Sequence, residues 1–188
     1  AFRAIEKENW IQAGVALGGS ANIERSTDIL SVLMMQNGAE MESGGKVAFN
    51  RTPDAFAERK YNPGLDALRF YTEFANPGKE VYSWNKTLEN SLTLFTQNKL
   101  AMMFGYSYML PDIKAKAPKL NLGIAKLPQI EGNPQSINFA NYWVEVASKK
   151  TKYPEEAWDF INYMATDKNT VKTYLDQTGK APALRELV

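Results

Sequence analysis

Short apolar runs alternate with amphipathic stretches of helical period along this sequence, and glycine, proline or asparagine closes nearly every one. Such alternation confines the chain to a layered α/β fold, in which helices cover the faces of a buried sheet. Residues 11–17 read as a buried strand that ends in a loop at Gly18-Gly19. Ser26-Thr27-Asp28 offers a cap and an acidic first turn to a helix with Ile29, Leu30, Leu33 and Met34 on one face, ended by Asn37-Gly38. Gly44-Gly45 predicts a turn into a short strand at 46–49, and residues 50–61 are polar and unpatterned. Asn62-Pro63 starts a second helix lined by Leu68, Tyr71 and Ala75, stopped before Pro77.

Further along, Leu88, Leu92 and Phe95 predict a helix over 88–98, which Asn98 ends in the left-handed conformation. Strands are expected at 100–104, 120–127 and 141–147, with a short helix over 109–116. The Gly/Asn/Pro/Ser-rich stretch 130–138 is the best internal boundary. Pro154 opens a helix whose Ala157, Phe160, Ile161 and Met164 share a face, and Asp167 caps another that runs through Val171, Tyr174 and Leu175 to Gly179.

Two missing residue types exclude whole classes of chemistry. Without cysteine there is no disulfide, thiolate nucleophile or Cys-held metal, and without histidine there is no imidazole base or His-rich metal site. Catalysis would have to rest on carboxylates, Lys or Tyr. The acidic groups in question, Glu40 with Glu42, Asp54 with Glu58 and Glu155 with Glu156, each have a plainer reading as solvated loop residues or as a first helical turn. No cofactor and no metal are expected. Lys and Arg number 22 against 21 Asp and Glu, so no global field steers the chain toward nucleic acid. Neither a signal segment nor a membrane-length apolar run is present in the 188 residues, and a start at Ala1 reads as a processed or truncated chain.

Aromatic residues make up 12% of the chain and concentrate where strands are expected to end: Trp84, Tyr106 and Tyr108, Tyr142 and Trp143. Flat rings with one polar edge suit the apolar faces and hydroxyl rims of sugars, although the same rings also build cores.

The order of these segments resembles the extracellular solute-binding proteins of ABC importers, in the sugar-binding group that includes the maltose-binding type. The matching stretches are 28–38 (DILSVLMMQNG), 95–106 (FTQNKLAMMFGY), 122–129 (LGIAKLPQ), 154–163 (PEEAWDFINY) and 178–182 (TGKAP). Two departures are Asn98, where the family usually has glycine, and Tyr142-Trp143, where small residues are common. The resemblance implies a type II periplasmic-binding-protein-like α/β lobe over residues 1–128, a hinge crossing at 129–141, and a strand and helices over 142–188 that return to the other lobe. It implies that Arg25, Ser26 and Thr27 face a cleft, that Tyr108 stacks on the ligand with Tyr106 and Ser107 beside it, and that Tyr142 and Trp143 lie near the hinge. Trp84 joins them as a candidate ring.

The implied function is that of a non-enzymatic receptor, extracellular as a lipoprotein or periplasmic, that binds a sugar or oligosaccharide and delivers it to an ABC permease. A carbohydrate-active hydrolase using carboxylates and a protein-interaction domain using the same aromatic surface are the alternatives. If the chain stands alone, the apolar face of Phe160, Ile161, Met164 and Tyr174 would favour self-association.

Overall fold

Strands β1 (Arg3–Glu6) and β2 (Asn9–Val15) pair antiparallel, with Arg3 opposite Ala13 and an irregularity between Ala4 and Ile5. The structure, a computed structural model, describes residues 3–6, 9–59, 61–180 and 182–187; Ala1 and Ala181, both used in the sequence reading, lie outside them. The described chain divides into two compact units, one of residues 1–105 with 116–140 and one of residues 106–115 with 141–188.

In the first unit β2 is the central strand. After it come α1 (Ser26–Gln36), the two-residue strands β3 (Glu42–Ser43) and β4 (Lys46–Val47), a 3₁₀ turn (Asp54–Arg59), α2 (Pro63–Glu73), α3 (Ser91–Thr96) and β5 (Leu100–Met102). β5 returns parallel to β2, with Ala13 opposite Leu100 and Val15 opposite Met102. A parallel pair needs a long crossover, and the intervening helices supply it while Ala13, Val15 and Leu100 of the pair are buried. The resulting core joins Ala13, Val15 and Leu17 to Ile29, Tyr71, Phe74, Trp84, Leu94 and Leu100.

Local signals fix several helix ends. Asn62 takes extended backbone and accepts the Leu65 N–H at 2.9 Å, so proline at the first helical position loses nothing. Asn90 caps α3 through the Leu92 N–H at 2.9 Å, and Asn98 has φ 59, the left-handed turn expected of it.

Other expectations are corrected. The helix over 88–98 is shorter, because Asn85 holds Thr87 and Leu88 in a turn before it. α2 buries Pro63, Gly64, Ala67 and Tyr71, while Leu68 stays exposed. Small residues occupy the contact because α1 and α2 approach closely there: Ala67 packs with Met34 and Ala39, and the Asn37 side-chain amide donates to the Pro63 carbonyl at 2.8 Å. Residues 120–127 form no strand. Ile124 is 70% exposed, and the following segment is held by side chains instead, with the buried Gln36 amide donating to the Pro128 and Ile137 carbonyls at 3.0 and 3.1 Å. A strand exists only with a paired neighbour, which propensity does not provide.

The second unit begins with a 3₁₀ turn (Ser107–Met109) and α4 (Leu110–Lys116), and resumes with α5 (Pro154–Thr166), α6 (Lys168–Thr178) and a 3₁₀ turn (Arg185–Leu187). Asp167 caps α6 through the Thr170 N–H at 2.9 Å, and Gly179 ends it with φ 65. Residues 141–147 are irregular and not the expected strand, and the apolar stripe of α5 stays open, with Phe160 64% exposed. Among the described residues of this unit, Met109, Ile113 and Val171 are the buried apolar ones.

Candidate functional site

The loop between β2 and α1 occupies the place where open α/β sheets receive ligands, beyond the carboxyl end of a central parallel strand. Within it Gly18 has φ 95, and a Cβ there would stand 2.6 Å from the Ala75 nitrogen, so only glycine fits. The Tyr71 hydroxyl donates to the Gly19 carbonyl at 2.6 Å, and burial pushes this phenol up to about 12. Asn22 then ties the loop to residues 84–91. Its Oδ1 accepts the Trp84 indole N–H at 3.0 Å, its Nδ2 donates to the Asn85 and Leu88 carbonyls at 3.0 and 2.8 Å, and its own carbonyl accepts the Ser91 N–H at 2.9 Å.

At the end of the loop Arg25 adopts φ 60 and ψ 27, a left-handed conformation that costs a non-glycine residue about 1–2 kcal/mol. Strain of this kind persists where surroundings over-determine it and is common at ligand sites. Arg25 and Thr27 are exposed and Ser26 is half-buried. The cap expected from residues 26–28 is corrected: the helix starts at Ser26, so Arg25 is the N-cap residue and makes no side-chain cap bond, and the Ser26 hydroxyl donates to the Ser20 carbonyl at 3.1 Å.

Trp84 is corrected as well. It is 0% exposed, enclosed in the core with its indole N–H satisfied by Asn22, so neither ring face can meet a ligand. Sequence reasoning missed Asn22, whose partners lie more than sixty residues away. The loop's glycine pair and asparagine were the only available signal.

In the second unit, the Tyr106 and Tyr108 rings stack 5.6 Å apart at 11°, on either side of the exposed Ser107. Tyr106 stands on extended backbone just before the 3₁₀ turn, at φ -106 and ψ 156, and Tyr108 lies within the turn. Tyr142 is 74% and Trp143 90% exposed, both on irregular backbone. The structure thus joins Arg25, Ser26 and Thr27 at the start of α1, and Tyr106 with Tyr108 in one stack.

The first unit also holds a cavity of about 470 Å³ that the sequence did not suggest, lined chiefly by Leu17, Ile29, Leu33, Phe70 and Phe104 and bordered by Leu127. A polyol needs convergent hydrogen-bonding groups, so this apolar lining does not suit a sugar. The acidic candidates are local in role. Glu42 accepts the Gly45 N–H in the β3–β4 turn, Asp54 opens a 3₁₀ turn, and Glu155 and Glu156 occupy the first turn of α5. Among the described residues no group of three or more His, Cys, Asp or Glu could hold a metal ion, and no helix is long and apolar enough to cross a membrane.

Comparison with known proteins places these features in a family. A family model described as bacterial extracellular solute-binding protein matches residues 18–188. The Multiple sugar-binding protein of Streptococcus mutans serotype c is 29% identical over 113 residues, covering 59% of this chain and 26% of that protein. The Maltodextrin-binding protein MdxE of Bacillus subtilis is 30% identical over 118 residues, covering 59% of this chain and 27% of that protein. In fold the chain is similar to an ABC transporter solute-binding protein from Thermotoga lettingae bound with alpha-D-tagatose, with a TM-score of 0.54 and 19% identity over 94% of this chain and 43% of that one. The matched region therefore spans about a quarter of the length of these curated relatives. Since the match begins in the loop after β2 and continues to the last residue, the chain belongs to the bacterial extracellular solute-binding proteins.

Proposed function

We propose that this chain is part of the substrate-binding component of an ABC importer, that its solute is a neutral sugar or oligosaccharide, and that it binds without turning the sugar over. The observation that carries the reading is the Tyr106–Tyr108 stack beside the exposed Ser107 hydroxyl. Paired rings present an apolar face to the C–H face of a pyranose or furanose, and phenol and serine hydroxyls can bond the rim. Within the first unit, Arg25 carries a planar fork of donors, a group able to span two adjacent hydroxyls. The names of the two curated relatives support sugar as the solute class.

In this reading residues 1–128 form one wall of a cleft, 129–141 a crossing, and 142–188 the return toward the opposite lobe. Closure of two lobes around a ligand is the motion of periplasmic binding proteins, and it removes the sugar from water. The permease is the macromolecular partner, and the protein works outside the cytoplasmic membrane.

The test is titration calorimetry of the full-length polypeptide with maltotriose and D-tagatose, and with a dipeptide, free arginine and zinc as controls. Heat of binding from a sugar, weakened at least tenfold by Tyr108→Ala, is the expected result. Binding of the dipeptide, arginine or zinc with no response to either sugar would overturn the substrate class. Release of product from the bound sugar would overturn the non-enzymatic reading.

A further inference from the structure

The Asn22 side chain makes three hydrogen bonds to residues 84–88, and the strained residue lies three positions on. The carboxamide oxygen takes the Trp84 indole N–H, both amide hydrogens go to the Asn85 and Leu88 carbonyls, and the backbone carbonyl takes the Ser91 N–H. Two residues on, the Glu24 N–H donates to the Ser91 hydroxyl at 2.8 Å, and the Glu24 carboxylate accepts from the Asn90 amide at 3.1 Å. Ile23, between them, is buried in the core. Residues 22 and 24 are thereby fastened to 84–91, on either side of a buried Ile23.

The next residue is Arg25, at φ 60, and α1 begins immediately after it. With the chain fixed on both sides, the backbone of Arg25 has no freedom left, and the left-handed turn follows. Gly19 closes the arrangement: a Cβ there would stand 3.3 Å from both the Asn22 Oδ1 and the Trp84 Cδ1, so the packing admits no larger residue without displacement.

We propose that Asn22 is a positioning residue for ligand binding: held by Trp84 and the backbone of 85–91, it sets the direction in which Arg25 and Thr27 are presented. Trp84 serves this loop from beneath and never touches the ligand. The inference rests on the reading of residues 25–27 as ligand-facing, and it adds the residue on which that presentation depends. Fixing the loop before the ligand arrives removes an ordering cost from binding. A well-bonded carboxamide suits the task, since loss of any one partner leaves a half-buried polar group unsatisfied.

The experiment is a double-mutant cycle on the full-length polypeptide, with maltotriose and D-tagatose as probes and amide hydrogen exchange as a second readout. Asn22→Ala, Arg25→Ala and the double variant are compared with wild type. If Asn22 acts through Arg25, each single substitution weakens sugar binding about tenfold or more, and the double variant is no weaker than the weaker single one. In Asn22→Ala the amides of 23–27 exchange at least tenfold faster, while those of α2 are unchanged. Where Asn22→Ala fails to fold, Trp84→Phe takes its place in the cycle, since it keeps a ring in the core and removes only the N–H donor.

Multiplicative losses in the cycle, or unchanged affinity with a loosened loop, would overturn the positioning role. Unchanged exchange at 23–27 would overturn the latch itself. Should wild type bind neither sugar, the sugar reading fails on its own account, and the exchange data alone decide whether Asn22 orders the loop.

Discussion

Gly64 lies so close to Phe49 that a Cβ at position 64 would stand 2.0 Å from the Phe49 carbonyl oxygen. The contact seats the first turn of α2 against the chain leaving β4, beside the Asn62 cap, and both Pro63 and Gly64 are buried. Helix α2 owes its position to the absence of a side chain.

Gly64→Ala is therefore expected to destabilise the protein. Helix propensity alone would favour alanine by about 1 kcal/mol. The clash is with backbone, which cannot swing aside as a side-chain end could, so a net loss of about 1–3 kcal/mol is expected. Urea denaturation would show the midpoint falling, and a rise would mean that Phe49 yields freely.

At Arg25 two substitutions separate conformation from chemistry. Arg25→Gly and Arg25→Ala both remove the guanidinium, but only glycine adopts φ 60 without cost. The glycine variant is expected to be more stable than the alanine variant by about 1 kcal/mol, with both binding sugar equally weakly. Thermal unfolding and calorimetry of the pair read the two effects.

Burial raises the Tyr71 phenol from 10.0 to about 12, so the folded state holds its proton more tightly than the unfolded chain does. The contribution to stability is whole below pH 10 and is lost as pH rises toward 12. Tyr71→Phe should be less stable near neutrality by about 1 kcal/mol, through loss of the hydrogen bond to Gly19. It should also fall less steeply than wild type above pH 10. Denaturant midpoints of the two proteins at pH 8, 10 and 11 would check both statements.

Asp167 has the opposite sign. Hydrogen bonds from Thr170 hold its carboxyl below the ordinary carboxylate value, so its cap on α6 is complete above that range and lost as pH falls through the lowered value. In Asp167→Asn the acceptor survives protonation, and the helical circular-dichroism signal should lose this part of its acid dependence. An identical acid profile in the two proteins would sink the assignment.

Residues whose role is completed within a few positions were readable in advance. Asn62 and Asp167 reach an N–H three residues ahead, and Asn98 and Gly179 answer only to their own backbone angles. Ser26 shows how such readings fail: the left-handed turn at Arg25 starts the helix at Ser26 itself, which leaves the hydroxyl one position inside the cap. Leu68 failed for another reason, since the close approach of α1 and α2 selected Ala67 and left the larger residue outside.

By itself the sequence determined the alternation of strands and helices, most helix ends, and the exclusion of cysteine and histidine chemistry, because each depends on residue type and near neighbours. Only the tertiary structure decided that Trp84 is a core ring, that Asn22 carries the loop before α1, and that residues 120–127 and 141–147 stay outside any sheet. Those outcomes turn on partners distant along the chain, Trp84 and Asn22 being 62 residues apart. A ring has the same affinity for a core as for a sugar, and which it meets is settled by what folds over it.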